Sequence, residues 1–128
     1  MSESLATNSR PETAPAEAAS WFGIEDVSER SRLLEAATPE ERIEWAFGHF
    51  GEKLGMTSSF GAQSAVLLHL ATQVWPGIPV ILVDTGYLFP ETYRFIDDLA
   101  ERLELNLKVY RHELSPSWQE ARWGKLWE

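Results

Sequence analysis

The chain has 128 residues, 44% of them hydrophobic and six of them Trp, which suits one globular core and is too short for two domains of ordinary size. Twenty acidic residues against eleven basic give a formal net charge of −9, which excludes a nucleic-acid binder that works by diffuse phosphate neutralisation. There is no cysteine, so disulfides, thiolate metal sites, iron–sulfur clusters and cysteine nucleophiles lie outside this polypeptide's own chemistry.

Residues 1–19 are mostly Ala, Ser, Thr, Glu and Pro and are expected to form a disordered tail, because so few large apolar side chains cannot offset the entropy of ordering. They contain neither a basic stretch nor an apolar run of signal-peptide type, and no run of 18 apolar residues follows. A cytoplasmic protein with no membrane partner is the expectation. A helical segment over 20–55 comes next. Ile24, Val27, Leu33 and Leu34 mark a first short helix, and Thr38-Pro39-Glu40-Glu41 announces a second, with Thr38 as cap, Pro39 at the first helical position and Glu41 closing a capping box. Ile43, Trp45, Ala46, Phe47 and Phe50 form its apolar stripe.

From residue 56 onward the pattern becomes that of a nucleotide-binding α/β domain. Met56 to Phe60 reads as a short strand and Ser64 to Trp75 as an apolar helix, in which His69 is expected to be a satisfied core histidine. Pro79 to Val83 is an aliphatic run of the kind buried on both faces of a parallel sheet. Pro90 opens a helix to about Leu105 with Phe95, Ile96, Leu99 and Leu103 on one stripe, Leu105 to Tyr110 gives a weaker third strand, and Pro116 to about Gly124 a last helix. The order ααβαβαβα implies a Rossmann-like, doubly wound parallel sheet of about three strands with flanking helices, incomplete at its C-terminal side and preceded by two helices. Ligands of such sheets bind beyond the carboxyl ends of the strands.

Two loops occupy that place. Ser58-Ser59-Phe60-Gly61-Ala62-Gln63-Ser64 is a small-residue turn between a strand and a helix, where Gly61 allows a close backbone approach or a positive φ, and helix N–H groups and serine hydroxyls can meet an anion. A plain tight connection would use the same residues. It has no Lys and no GxxxxGK[ST] pattern, so it is not a Walker A element. In the second loop Asp84 can accept from a ribose hydroxyl, with Thr85 and Gly86 leaving room for a base, or it can simply start a turn. Glu91 reads as a complement to the next helix dipole, and Leu88 and Phe89 as packing. Arg122 and Lys125 stand three apart and can face one anion or pair with Glu120 and Glu128 as solvated helix charges. Trp118, Trp123 and Trp127 need a surface to bury against, and a domain ending there leaves at least one of them exposed, so the chain reads as interrupted. His49, His69 and His112 have no metal-ligand spacing.

SSFGAQSAVLLHL, VDTGYLFPETY and QEARWGKLWE, in that order, together resemble the thioredoxin-dependent phosphoadenosine phosphosulfate (PAPS) reductases, an adenine-nucleotide α-hydrolase-like group. The resemblance runs from about Trp21 to Glu128 and corresponds to roughly the first half of the family's catalytic domain. It implies reduction of PAPS to sulfite and adenosine 3′,5′-bisphosphate in sulfate assimilation, through a cysteine S-sulfonate that thioredoxin resolves. Ser58 to Ser64 would be the pyrophosphate loop, Asp84, Thr85 and Gly86 would border the adenosine, and Arg122 and Lys125 fall in a family motif. Trp123 departs from the Tyr usual there. GAQS, in place of a GAED-like loop, favours PAPS over adenylylsulfate and an enzyme without cofactor or iron–sulfur cluster. The nucleophilic cysteine belongs to a C-terminal motif absent from these residues, so no catalytic residue is assigned here. The expectation is an N-terminal portion, inactive alone, binding nucleotide weakly or not at all, with a homodimeric habit in the family. An ATP-pyrophosphatase-like enzyme is opposed by Phe60 and Gln63, which stand where its SGGxDS-like loop differs. A non-enzymatic remnant that associates through its tryptophans is the third reading.

Overall fold

A computed structural model of the chain describes residue 23 and residues 25–125. The expected tail, with Trp21, Ile24 and Trp127, lies outside the described residues. Helix α1 covers Val27–Ala36 and starts from Asp26, whose side chain accepts from the Glu29 N–H. Helix α2, Pro39–Phe50, begins with the expected capping box: the Glu41 N–H donates to Thr38 Oγ1 at 3.2 Å, and the Thr38 N–H donates to Glu41 Oε2 at 2.7 Å. That reciprocal pair satisfies two N–H groups that a helix start would otherwise leave to water.

Strands β1 (Met56–Thr57), β2 (Pro79–Asp84) and β3 (Asn106–Arg111) form one parallel sheet in the order β1-β2-β3, linked by α3 (Ser64–Val74) and α4 (Pro90–Arg102) and followed by α5 (Pro116–Trp123). The architecture is the expected three-stranded parallel sheet with flanking helices. Strand β1 is shorter than expected. The chain leaves the extended conformation after Thr57, and Phe60 sits at φ +53° with its N–H donating to Ser58 Oγ at 3.1 Å.

Val80 and Leu82 of β2 join Leu68 and Ala71 of α3 and Ile96 and Leu99 of α4 in a single core, which Phe60, Trp75 and Ile78 complete. Both crossover helices therefore cover the same face, as right-handed connections between strands in sequential order require. The described sheet is wound to one side, not two. The expected burial of β2 on both faces fails for that reason: Val80 is fully buried, whereas Val83 is 65% exposed. Helix α2 extends the same layer, its Phe47 ring 4.3 Å from that of Trp75.

His69 is exposed, contrary to the expected core position, because α3 turns Leu68, Ala71 and Thr72 inward. The Thr72 hydroxyl, which is buried, donates to carbonyl oxygens of its own helix at Leu68 and His69. Phe89, expected to pack, is 74% exposed, while Leu88 does pack on the core.

Candidate functional site

The two loops selected from sequence lie side by side. The Ser58 N–H donates to the Ile81 carbonyl at 3.1 Å, continuing the pairing of β1 with β2, so the turn over 58–63 leaves the sheet at the carboxyl end where the loop after Asp84 also begins. In the first loop the left-handed residue is Phe60, not Gly61. Its ring is 2% exposed and anchors the turn in the core, and burial of so large a ring supplies the free energy that holds an uncommon backbone conformation. A Cβ on Gly61 would stand 3.8 Å from Ser59 Oγ and 4.0 Å from Ser64 Oγ, ordinary contacts, so the turn itself does not demand glycine there, and the two hydroxyls flank this stretch of backbone. The Ser64 N–H donates back to the Gly61 carbonyl at 2.9 Å. Gln63 precedes α3 without a side-chain cap, whereas α1, α2 and α5 are capped by Asp26, Thr38 and Ser115. The exposed turn Gly61 to Gln63 presents backbone N–H donors at the positive end of a helix dipole, with the hydroxyls of Ser59 and Ser64 on either side of it.

The second loop is tied more elaborately. Asp84 Oδ1 accepts from the Tyr93 hydroxyl at 2.7 Å and from the Gly86 N–H at 2.9 Å. The Tyr93 hydroxyl and the Gly86 N–H hold the carboxyl below its ordinary value against desolvation, and the charge of Arg111 adds a lesser contribution in the same direction. The Tyr93 phenol is raised in return, Asp84 being the main cause. Arg111 is the register partner of Asp84 across β2 and β3. The turn reading of Asp84 is thus realised, and Oδ2 is the oxygen that makes neither of these two bonds.

Thr85 Oγ1 accepts from the Tyr87 N–H at 3.3 Å, and Gly86 has φ +79°. A Cβ on Gly86 would come within 2.5 Å of Pro116 Cγ, so α5 is seated on this loop at a point only glycine permits. The Tyr87 hydroxyl donates to Glu120 of α5, and that carboxylate pushes the phenol up to about 12.

Arg122 and Lys125 do not share one helix face. Helix α5 ends at Trp123, Gly124 takes φ +77°, and Lys125 follows outside the helix. The Arg122 guanidinium lies 5.3 Å from the Trp118 ring centre, a cation–π distance. Trp118 and Trp123 are 54% and 55% exposed, matching the expectation of rings left uncovered. Sequence reasoning missed Tyr93, Arg111, Tyr87 and Glu120. The signal for Arg111 was in the parallel register that sets it beside Asp84, and for Tyr93 in its place one turn into the helix that follows Asp84.

Residues 53–128 match the family model for the phosphoadenosine phosphosulfate reductase domain. The chain belongs to the PAPS reductase family. It is 60% identical over 102 residues to the phosphoadenosine 5′-phosphosulfate reductase of Zymomonas mobilis, covering 80% of this chain and 42% of that protein. With the reductase of Serratia proteamaculans it shares 62% identity over 95 residues, covering 74% and 39%. Among solved structures, the PAPS reductase of Candida auris in its phosphate complex superposes with a TM-score of 0.66 at 26% identity, covering 82% of this chain and 54% of that one. The chain thus spans about two fifths of the length of these curated relatives. No described helix is long and apolar enough to cross a membrane.

Proposed function

We propose that this chain is the nucleotide-cradling, N-terminal portion of a cytoplasmic PAPS reductase, an oxidoreductase of sulfate assimilation. In that reading Ser58 to Ser64 receives phosphate oxygens of PAPS or of adenosine 3′,5′-bisphosphate, and Asp84, Thr85 and Gly86 border the adenosine, with Asp84 Oδ2 facing a ribose hydroxyl. The observation that supports it is the adjacency of the two loops at the carboxyl ends of paired parallel strands, where ligands of such sheets bind. Arg122 and Lys125 add positive charge beyond the second loop.

The reaction transfers the sulfo group of PAPS to a thiolate, releasing adenosine 3′,5′-bisphosphate. Reduced thioredoxin then attacks the S-sulfonate, freeing sulfite and ending as a disulfide, so the two electrons come from its dithiol. This polypeptide has no cysteine, hence its share is binding and orientation, and the nucleophile belongs to the downstream portion of the domain. A homodimer of the complete enzyme fits the family's habit.

Adenosine 3′,5′-bisphosphate titration and sulfite assay test this together. The 128 residues alone bind weakly or not at all and form no sulfite from PAPS and reduced thioredoxin. Joined to the downstream portion of the Zymomonas mobilis relative they bind saturably, and Ser59→Ala weakens that binding. Turnover by the 128 residues alone, or binding by the joined chain indifferent to substitutions in both loops, overturns the reading.

A further inference from the structure

In adenosine 3′,5′-bisphosphate the 3′ and 5′ oxygens both carry phosphate, so the 2′-hydroxyl is the one ribose hydroxyl left to donate. Such a donor is read only by an acceptor that is both unused and aimed. A carboxylate oxygen offers about two lone-pair sites, and Asp84 Oδ1 gives its own to the Tyr93 hydroxyl at 2.7 Å and the Gly86 N–H at 2.9 Å. Oδ2 makes neither bond. Tyr93 is the main cause that holds this carboxyl below its ordinary value, so Asp84 stays ionised and serves as an acceptor only.

The two bonds on Oδ1 differ in what they fix. The Gly86 N–H belongs to the turn that Asp84 itself begins, two residues on, and it moves with that loop. Tyr93 belongs to α4, a helix anchored in the core by Ile96 and Leu99, and its own N–H donates to the Phe89 carbonyl at 3.2 Å, closing the first turn. No side chain caps α4 at Phe89. The Tyr93 hydroxyl therefore ties this end of the helix to β2 through a charge-assisted bond. An aspartate carboxylate is otherwise loosely held about its last torsion, and a bond from the helix added to one from the loop removes that freedom. The Tyr93 ring packs on the core and would do so as Phe, so the hydroxyl is the part that packing does not require.

We propose that Tyr93 is a positioning residue for nucleotide selection: by holding Asp84 Oδ1 it aims Oδ2 at the 2′-hydroxyl, and so gives the loop after β2 a preference for ribonucleotide over deoxyribonucleotide. Tyr93 touches no ligand atom in this role and acts through Asp84. The proposal rests on the assignment of that loop to the adenosine.

The test is the binding of adenosine 3′,5′-bisphosphate and of its 2′-deoxy counterpart to the chain joined to the downstream portion of the Zymomonas mobilis relative, read as the ratio of the two dissociation constants. A change that merely loosens the fold moves both constants and leaves their ratio. Wild type is expected to favour the ribonucleotide about tenfold or more, as one hydrogen bond to a charged group allows. Asp84→Ala should remove that preference, and Tyr93→Phe and Tyr93→Leu should each lower it to about threefold or less, as expected when an aimed charged acceptor is lost. Ile96→Val loosens the same helix through the core without touching Asp84, and should keep the wild-type ratio. Full preference in both Tyr93 variants, with none in Asp84→Ala, overturns the positioning role and leaves the adenosine assignment standing. A ratio that falls as far in Ile96→Val as in Tyr93→Phe also overturns it, as a general effect of loosening. Full preference in Asp84→Ala, or none in wild type, takes Asp84 away from the ribose and the proposal with it. Failure of the wild-type joined chain to bind either nucleotide overturns the adenosine assignment itself, and the proposal falls with it.

Discussion

The Tyr93 hydroxyl donates to Asp84 Oδ1 across 2.7 Å, joining the first turn of α4 to the last residue of β2. The same oxygen accepts from the Gly86 N–H, so one carboxylate atom fixes both the helix and the turn between it and the strand. Tyr93→Phe removes a charge-assisted donor while keeping the ring. The expected result is a lower urea midpoint with unchanged slope. Because Asp84 titrates below its ordinary 3.8 when folded, its contribution is present above that value and disappears as pH falls through the lowered one. The difference between wild type and Tyr93→Phe should therefore shrink in acid; a difference constant from pH 7 to pH 2 would contradict the assignment.

At the alkaline end the same test runs through Tyr87. Its phenol is raised from 10.0 to about 12 by Glu120, so its contact with α5 contributes fully below pH 10 and is lost as pH climbs toward 12. Stability measured against pH for wild type and Tyr87→Phe should differ below pH 10 and converge above 12. Parallel curves across that window would remove Tyr87 as the titrating link.

Gly86→Ala tests the seat of α5. The substitution meets a positive φ and a 2.5 Å approach to Pro116 Cγ together, and a strained left-handed residue alone costs on the order of 1–3 kcal/mol. Chemical denaturation should show a loss in that range. The double variant Gly86→Ala, Pro116→Ala should recover part of it, since the two sites are in contact and their effects do not add. No recovery would place the whole cost in the backbone.

Leu68 is fully buried and Val66, two residues away on α3, is 67% exposed. Leu68→Ala should cost about 2–5 kcal/mol by opening a cavity, and Val66→Ala should stay within about 0.5 kcal/mol. Equal effects in a thermal melt would mean that α3 packs with another face inward.

Local chemistry made much of the fold legible. The capping box at Thr38 and Glu41, the prolines opening α4 and α5, and the Ile96 and Leu99 stripe each act within a few residues, and each sits where the pattern placed it. What escaped depends on long-range arrangement. Whether β2 is covered on one face or two is decided by strand order, which the run from Pro79 to Val83 does not encode. The exposure of His69 follows from which side of α3 meets the sheet, since nearly every neighbouring position is apolar. Around the site, Asp84 was visible but its partners were not, because Arg111 reaches it only through the β2–β3 register. Phe60 was read as the end of a strand, when its large ring is what pins the following turn.

Strand β1 contributes two residues to the sheet and β3 contributes six. Growth by addition of a foreign strand needs a long row of free backbone groups, so β1 offers a poor template and any such accretion would begin at β3. Lys108 and Arg111 stand on β3 as gatekeepers there, and two copies meeting edge to edge would bring these cations together. Colloidal behaviour should accordingly depend on ionic strength at that edge, with added salt screening the repulsion and promoting association, even though the protein as a whole is acidic.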